Sequence, residues 1–276
     1  MLRAALGWAL PVLLLPGCVG FSPAGPPLAT APPYESLTPY LCLPPALEDR
    51  LLYYNAFEEA DGKPEISRSA VAQLVRLETR EEGVRGRCGM AGKGNELRLR
   101  SEAFSPHRPL TVSFWWSFEQ DAKIDSSFGL VHLAGRQGFV SHFSRGKGEW
   151  CALQRPAAIL QVYYIPGIQN VNGIYDSDLA AHVELKAGKW HHTALVFSGA
   201  SLIEVYTDGR RAWSVRVRGR AFREDDRFHD LWIGTRSGMA MAIDEVMVLR
   251  RALTAGEIAE YFTAISQMRE VGYPPR

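Results

Sequence analysis

From Trp190 to Phe262 the chain is a run of short segments, most of them apolar, broken by turn residues and closed by one capped helix. This constrains the fold more than any other feature. His191 to Phe197, Leu202 to Thr207, Arg211 to Val217, Leu231 to Gly234 and Ala242 to Leu249 have the length and β-rich make-up of strands. Asp208-Gly209 between two of them fits a two-residue hairpin, because a type I′ turn needs positive φ at both central positions. Thr254 with Glu257 three residues on is a capping box. Ile258, Tyr261, Phe262 and Ile265 then line one side of the helix it opens.

The same pattern extends upstream. In Thr111 to Phe118, Val112, Phe114, Trp116 and Phe118 fall on one face and Thr111, Ser113, Trp115 and Ser117 on the other. The first set is expected in the core. Trp115 is then expected on a face open to solvent or ligand. Further strands are predicted at Leu51 to Glu58, Glu96 to Arg100, Gly129 to Leu133, Gly138 to Phe143, Ala158 to Tyr164 and His182 to Leu185. Glu65 to Arg80 fits either a helix or two short strands. Gly83, Gly86, Gly89, Gly92 and Gly94 mark a turn-rich stretch. Many short strands and one terminal helix argue for an all-β jelly-roll sandwich.

With 46% hydrophobic residues in 276, the chain can bury a large core. A formal charge of +1 gives no strong field for nucleic acid or anionic lipid. The basic residues Arg210, Arg211, Arg216, Arg218, Arg220 and Arg223 stand beside Glu224, Asp225 and Asp226, as on ordinary solvated strands, with a patch for an anionic ligand as the alternative.

The N-terminus reads as a targeting segment. Arg3 precedes an apolar run, Ala4 to Leu15, too short to span a bilayer, which needs about 20 residues. Leu15-Pro16-Gly17-Cys18 resembles a bacterial lipobox, with Pro16 departing from the usual small or β-branched residue. The resemblance implies lipidation of Cys18 in a cell-envelope protein, and Val19 after it leans to the outer membrane. An ordinary secretory signal peptide, and a secreted product, is the alternative. Residues 1–17 are thus the expected signal peptide, 18–45 the lipidated Cys and Pro-rich spacer, 46–266 the folded domain and 267–276 a tail. Four cysteines lack the C-x-x-C spacing of a zinc site. Cys42 bridged to Cys88, with Cys151 as the competing partner, is the pairing open to a secreted chain.

Several blocks together resemble the laminin G-like, concanavalin A-like jelly roll. They are T-V-S-F-W at 111–115, W-H-H-T-A at 190–194, V-Y-T-D-G at 205–209, and I-D-E-V at 243–246 with R-A-L at 251–253. That resemblance implies a binding module. It also implies a structural Ca2+ bound through Asp244, with Glu58 or Glu59 as the second carboxylate and a loop carbonyl near Gly92. Otherwise Asp244 bonds backbone amides or pairs with Arg250 or Arg251.

Related jelly-roll glycosidases carry alternating carboxylates on one strand. No such run occurs here; Glu119 and Asp121 sit at a strand end. No G-x-S-x-G elbow occurs either. The expectation is therefore a non-catalytic module recognising a glycan or an envelope protein. Ligand candidates are Trp115, Trp150, Tyr163, Tyr164, Asn170, Asn172 and Tyr175, aromatics for sugar faces and amides for hydroxyls. A glycan-acting hydrolase or a purely structural envelope protein are the alternatives.

Overall fold

The computed structural model describes residues 45–68, 71–75, 77–92, 94–104, 108–120, 127–135, 139–145, 158–163, 187–199, 202–216, 228–234 and 240–270. A 3-10 helix, Pro45–Arg50, leads into the first strand. The strands are β1 (Leu51–Asn55), β2 (Ile66–Ser67), β3 (Ala72–Val75), β4 (Glu78–Glu81), β5 (Arg87–Ala91), β6 (Leu97–Arg100), β7 (Leu110–Phe118) and β8 (Ser127–Gly135). They continue as β9 (Phe139–Arg145), β10 (Ala158–Tyr163), β11 (His191–Phe197), β12 (Leu202–Thr207), β13 (Arg210–Arg216), β14 (Phe228–Ile233) and β15 (Met241–Leu249). Helix α1 (Ala255–Glu270) follows and runs past the domain boundary expected at 266.

These strands make two antiparallel sheets. The first has nine strands along the path β13-β12-β11-β7-β15-β1-β2, with β5 and β4 attached beside β15. The second has six, in the order β10-β9-β8-β14-β6-β3. Strand β15 changes partner midway: Met241 to Ile243 pair with β5, and Val246 to Leu249 pair with β1. The pairing of β15 with β7 is bulged between Asp244 and Met247, at the same handover.

The space between the sheets is filled as the alternation requires. Val112, Phe114, Trp116 and Phe118 from the first sheet cluster with Leu97, Leu99, Leu231 and Ile233 from the second. Each such side chain contributes about 1.5–3 kcal/mol on burial. The Trp116 indole N–H donates to Thr193 Oγ1 at 2.9 Å, so the polar end of this core tryptophan is satisfied.

A second apolar cluster lies on the outer face of the first sheet. Ile258, Tyr261 and Ile265 of α1 pack there with Trp115, Val196, Tyr206 and Met247. All nine residues of β7 are consequently buried. Helix α1 begins as its capping box requires: the Glu257 amide donates to Thr254 Oγ1 at 3.3 Å, and the Thr254 amide donates to Glu257 Oε2 at 2.8 Å. At the β12–β13 hairpin Asp208 and Gly209 have φ of 48° and 74°, the two positive values expected.

The ambiguous stretch after Glu65 resolves into strands, with β2, β3 and β4 spread over both sheets. Strand β5 was not expected; it runs through the glycine-rich segment. Gly89 leaves room there for the Phe57 ring, which a Cβ would approach to 2.6 Å. The strand expected at His182 to Leu185 falls outside the described residues, as do Cys42 and Cys151. Cys88 is a buried free thiol, against the expected bridge to Cys42. Burial, with Asp244 nearby, pushes that thiol up to about 12, so it packs as an inert hydrophobe.

Candidate ligand-binding site

The handover in β15 builds a buried polar hub. Glu245 has φ of 51°, a rare backbone state that turns successive carboxylates away from the strand alternation. Glu245 Oε1 accepts from Arg85 Nε at 2.8 Å, and Glu245 Oε2 accepts from the Tyr54 hydroxyl at 2.8 Å. The Tyr261 hydroxyl lies 3.5 Å from Oε2, tying helix α1 to the hub. The Arg85 and Glu245 side chains are almost wholly buried.

Asp244 serves the neighbouring turn. Its Oδ2 accepts the Val84 amide and its Oδ1 accepts the Glu245 amide, both at 2.7 Å. Among the described residues no arginine is hydrogen-bonded to it, and its two bonds are those of the expected amide alternative. Burial, then the Glu245 carboxylate, holds its carboxyl well above the usual range; Arg85 and the two amides work against this. The turn itself closes by a bond from the Gly83 amide to Gly86 O at 2.7 Å. A Cβ at Gly83 would lie 2.7 Å from Asp244 Oδ2, and one at Gly86 would lie 2.5 Å from Glu58 Oε1. Glu58 and Asp244, far apart in sequence, therefore reach the same turn. Both are hard oxygen donors of the kind Ca2+ takes, which asks for six to eight oxygens. No group of three or more His, Cys, Asp or Glu that could hold a metal occurs among the described residues.

Trp115 requires a correction. It is 2% exposed, and its ring stacks on Phe262 of α1 with centroids 5.3 Å apart and 8° between planes. The alternation placed it on the outer face correctly, but α1 covers that face. His192 lies beside it under the helix, with Nε2 2.8 Å from Ser113 Oγ. Burial lowers this imidazole from 6.5 to about 4, opposed by the Asp208 charge. Trp190 is also part of the covered cluster.

The outer face of the second sheet is different. Leu97, Leu99, Leu231 and Ile233 point inward, so Arg98, Arg100, Asp230 and Trp232 point out. Trp232 is half-buried, and the Arg98 guanidinium lies 4.8 Å from its ring centroid. Arg100 donates twice to Asp230, at 2.7 and 3.1 Å. Arg98 also pairs with Glu96 at 2.9 Å. The register continues this row across the sheet: Arg98 pairs Trp232, Trp232 pairs His132, His132 pairs Val140 and Val140 pairs Tyr163. Tyr163 thus shares a cross-strand row with Trp232.

Trp150, Tyr164, Asn170, Asn172 and Tyr175 lie outside the described residues, as does Cys18. Sequence reasoning did not single out Arg98, Arg100 or Trp232. The signal is present in the sequence, since L-R-L-R and D-L-W-I alternate and so turn Arg98, Arg100 and Trp232 away from the leucines.

A family model described as the concanavalin A-like lectin/glucanases superfamily matches residues 91–259. A search of curated proteins finds no match. Among solved structures the chain is similar to the binding domain of Paraclostridial Mosquitocidal Protein 1, at TM-score 0.55 and 15% identity. That match covers 79% of this chain and 53% of the other. It is also similar to the binding domain of Botulinum neurotoxin DC in complex with rat synaptotagmin II, at TM-score 0.57 and 9% identity, covering 79% and 52%. The chain thus spans about half the length of these domains, and at such identity the likeness shows the fold alone. The family model spans more than half of the chain, which belongs to the concanavalin A-like lectin/glucanases superfamily.

Proposed function

We propose that the chain is a lipid-anchored cell-envelope protein whose jelly-roll domain recognises a glycan or protein ligand without catalysis, through the outer face of its second sheet. The observation that carries this reading is the inequality of the two outer faces. Helix α1 covers the first, while the second presents Trp232 flanked by Arg98 and the exposed Arg100 with Asp230. An aromatic ring beside hydrogen-bonding guanidinium groups suits a sugar ring or a peptide side chain. The toxin domains of the same fold, one of them in complex with synaptotagmin II, are in keeping with a binding role. The carboxylates of this face, Glu96 and Asp230, are each engaged by an arginine, an arrangement that suits binding better than acid–base work.

A glycan array probed with wild type and Trp232→Ala tests the surface. Binding that Trp232→Ala abolishes without loss of folding supports the reading; binding that survives it unchanged sinks this face. Anchoring is tested by an alkyne fatty-acid label, which Cys18→Ala should lose. Among the described residues no helix is long and apolar enough to cross a membrane.

Calcium belongs to the same proposal. Two buried carboxylates, Asp244 and Glu245, stand against the single Arg85 guanidinium, and Glu58 reaches the Asp244 turn. A divalent cation held by Asp244 and Glu58 would balance that charge and stabilise the native state as any native-only ligand does. Melting in calcium and then in EDTA decides: a calcium-dependent rise of several degrees supports it, and no shift leaves Asp244 as an acceptor of amides.

A further inference from the structure

A cavity of about 510 Å3 opens on the outer side of the first sheet, beyond the C-terminal end of α1. It lies between the β4–β5 hairpin, the end of β7 and the segment leading into β11, away from the second-sheet surface. Its size falls within the range of small-molecule sites, about 300–1,000 Å3.

Three features give it a chemical character. One part of the wall is apolar, with Trp190, Met90 and Ala242, and much of the rest is polar or charged. The charged rim is close to balanced: Arg80 pairs with Glu119, Glu81 pairs with Arg87 just outside the cavity, and Glu82 and Arg269 add one charge of each sign. Set deep in the floor is Ser117, 3% exposed, whose hydroxyl has no hydrogen-bond partner. A buried hydroxyl left unpaired costs free energy in the free protein, and a ligand that pairs it recovers that cost. Its neighbour on the same face, Ser113, is by contrast bonded to His192 at 2.8 Å. The unmet group is neutral and can both donate and accept, which matches a hydroxyl better than an ion.

We propose that this cavity is a second binding site, for one uncharged, hydroxyl-rich ring such as a hexose unit of a neutral glycan. The apolar side of the ring lies against Trp190 and Met90, and one ring hydroxyl meets Ser117 Oγ after rotation about χ1. The proposal does not rest on the second-sheet surface, and the two sites are separable by mutation.

The test is an NMR titration of the indole N–H signals of the full chain. The probes are methyl α-glucoside, methyl β-galactoside, methyl N-acetyl-β-glucosaminide and, as a charged control, glucuronate. At least one neutral probe should move the Trp190 signal, identified by its loss in Trp190→Phe. Ser117→Ala should weaken that probe by about fivefold or more, the worth of roughly one hydrogen bond. Its melting temperature should be unchanged or higher, since the variant removes an unpaired buried group, whereas a merely structural hydroxyl would cost stability. Trp232→Ala should leave the Trp190 response intact. The proposal is overturned if no neutral probe moves the Trp190 signal, which makes this a water-filled cavity only. It is overturned equally if Ser117→Ala binds unchanged, or if glucuronate binds more tightly than every neutral probe.

Discussion

Trp115 shows what a single residue can and cannot announce. Its position in the T-V-S-F-W strand fixed its face by alternation alone, and the structure agrees. What lies on that face is set by α1, which packs Phe262 flat on the indole. The capping box and apolar stripe of α1 were legible; the surface they cover was not, because a stripe reports only that some partner exists. We predict that Trp115→Ala costs about 3–5 kcal/mol in chemical denaturation, as for large buried aromatics. Ligand binding at the second sheet should remain in whatever fraction is folded. A variant with wild-type stability would mean that the helix does not dock as described. Asp244 is the converse case. Its importance was visible in I-D-E-V, and its amide bonds were one of the alternatives, but the role of the adjacent Glu245 depends on a positive φ that no side-chain pattern betrays.

At the scale of elements, the misread piece is β5 and the turn before it. Five glycines within a dozen residues suggested turns, yet Arg87–Ala91 is a strand that completes the first half of β15. Gly83, Gly86 and Gly89 are there because Asp244, Glu58 and Phe57 press against the backbone, and such contacts arise from distant parts of the chain. Gly86, at φ 149° and against Glu58, should tolerate no side chain: we expect Gly86→Ala to lower stability by about 2 kcal/mol or more by thermal melting. Arg85, carried by the same turn, was silent in the sequence because its partner is 160 residues away. Arg85→Met should cost about 3–5 kcal/mol, since it strands Glu245 as a buried charge. Pairing it with Glu245→Gln should recover part of that loss, and a simple sum of the two single effects would contradict the buried pair.

For the whole molecule, the sandwich and its closing helix were readable because core alternation, hairpin chemistry and capping all pointed the same way. The proposed ligand face was not, because it is defined by which side α1 leaves uncovered among the described residues. The covered side also sets the response to acid. Native His192, among Trp115, Tyr261 and Phe262, stays neutral to about 4, whereas an unfolded histidine takes its proton near 6.5. Below 6.5 the unfolded chain therefore binds more protons at this site, and stability falls as the pH drops, levelling out near 4. The full loss is roughly 3 kcal/mol. Asp244, whose carboxyl is raised, acts in the opposite sense over its own range. The His192 contribution is thus measured as the difference between wild type and His192→Gln across that window. Parallel pH profiles would show that this imidazole is not sealed from water.

Both ends of the described domain approach the covered face. Leu47, in the entering 3-10 helix, packs in the same cluster as Leu253 and α1, and the Arg250 amide bonds Arg50 O at 2.8 Å. A bead, a dye or a fused partner attached before Pro45 or after Glu270 would therefore stand behind the sandwich. The Trp232 side would then remain turned toward whatever approaches from solution, so coupling at either end of the described domain leaves that side free.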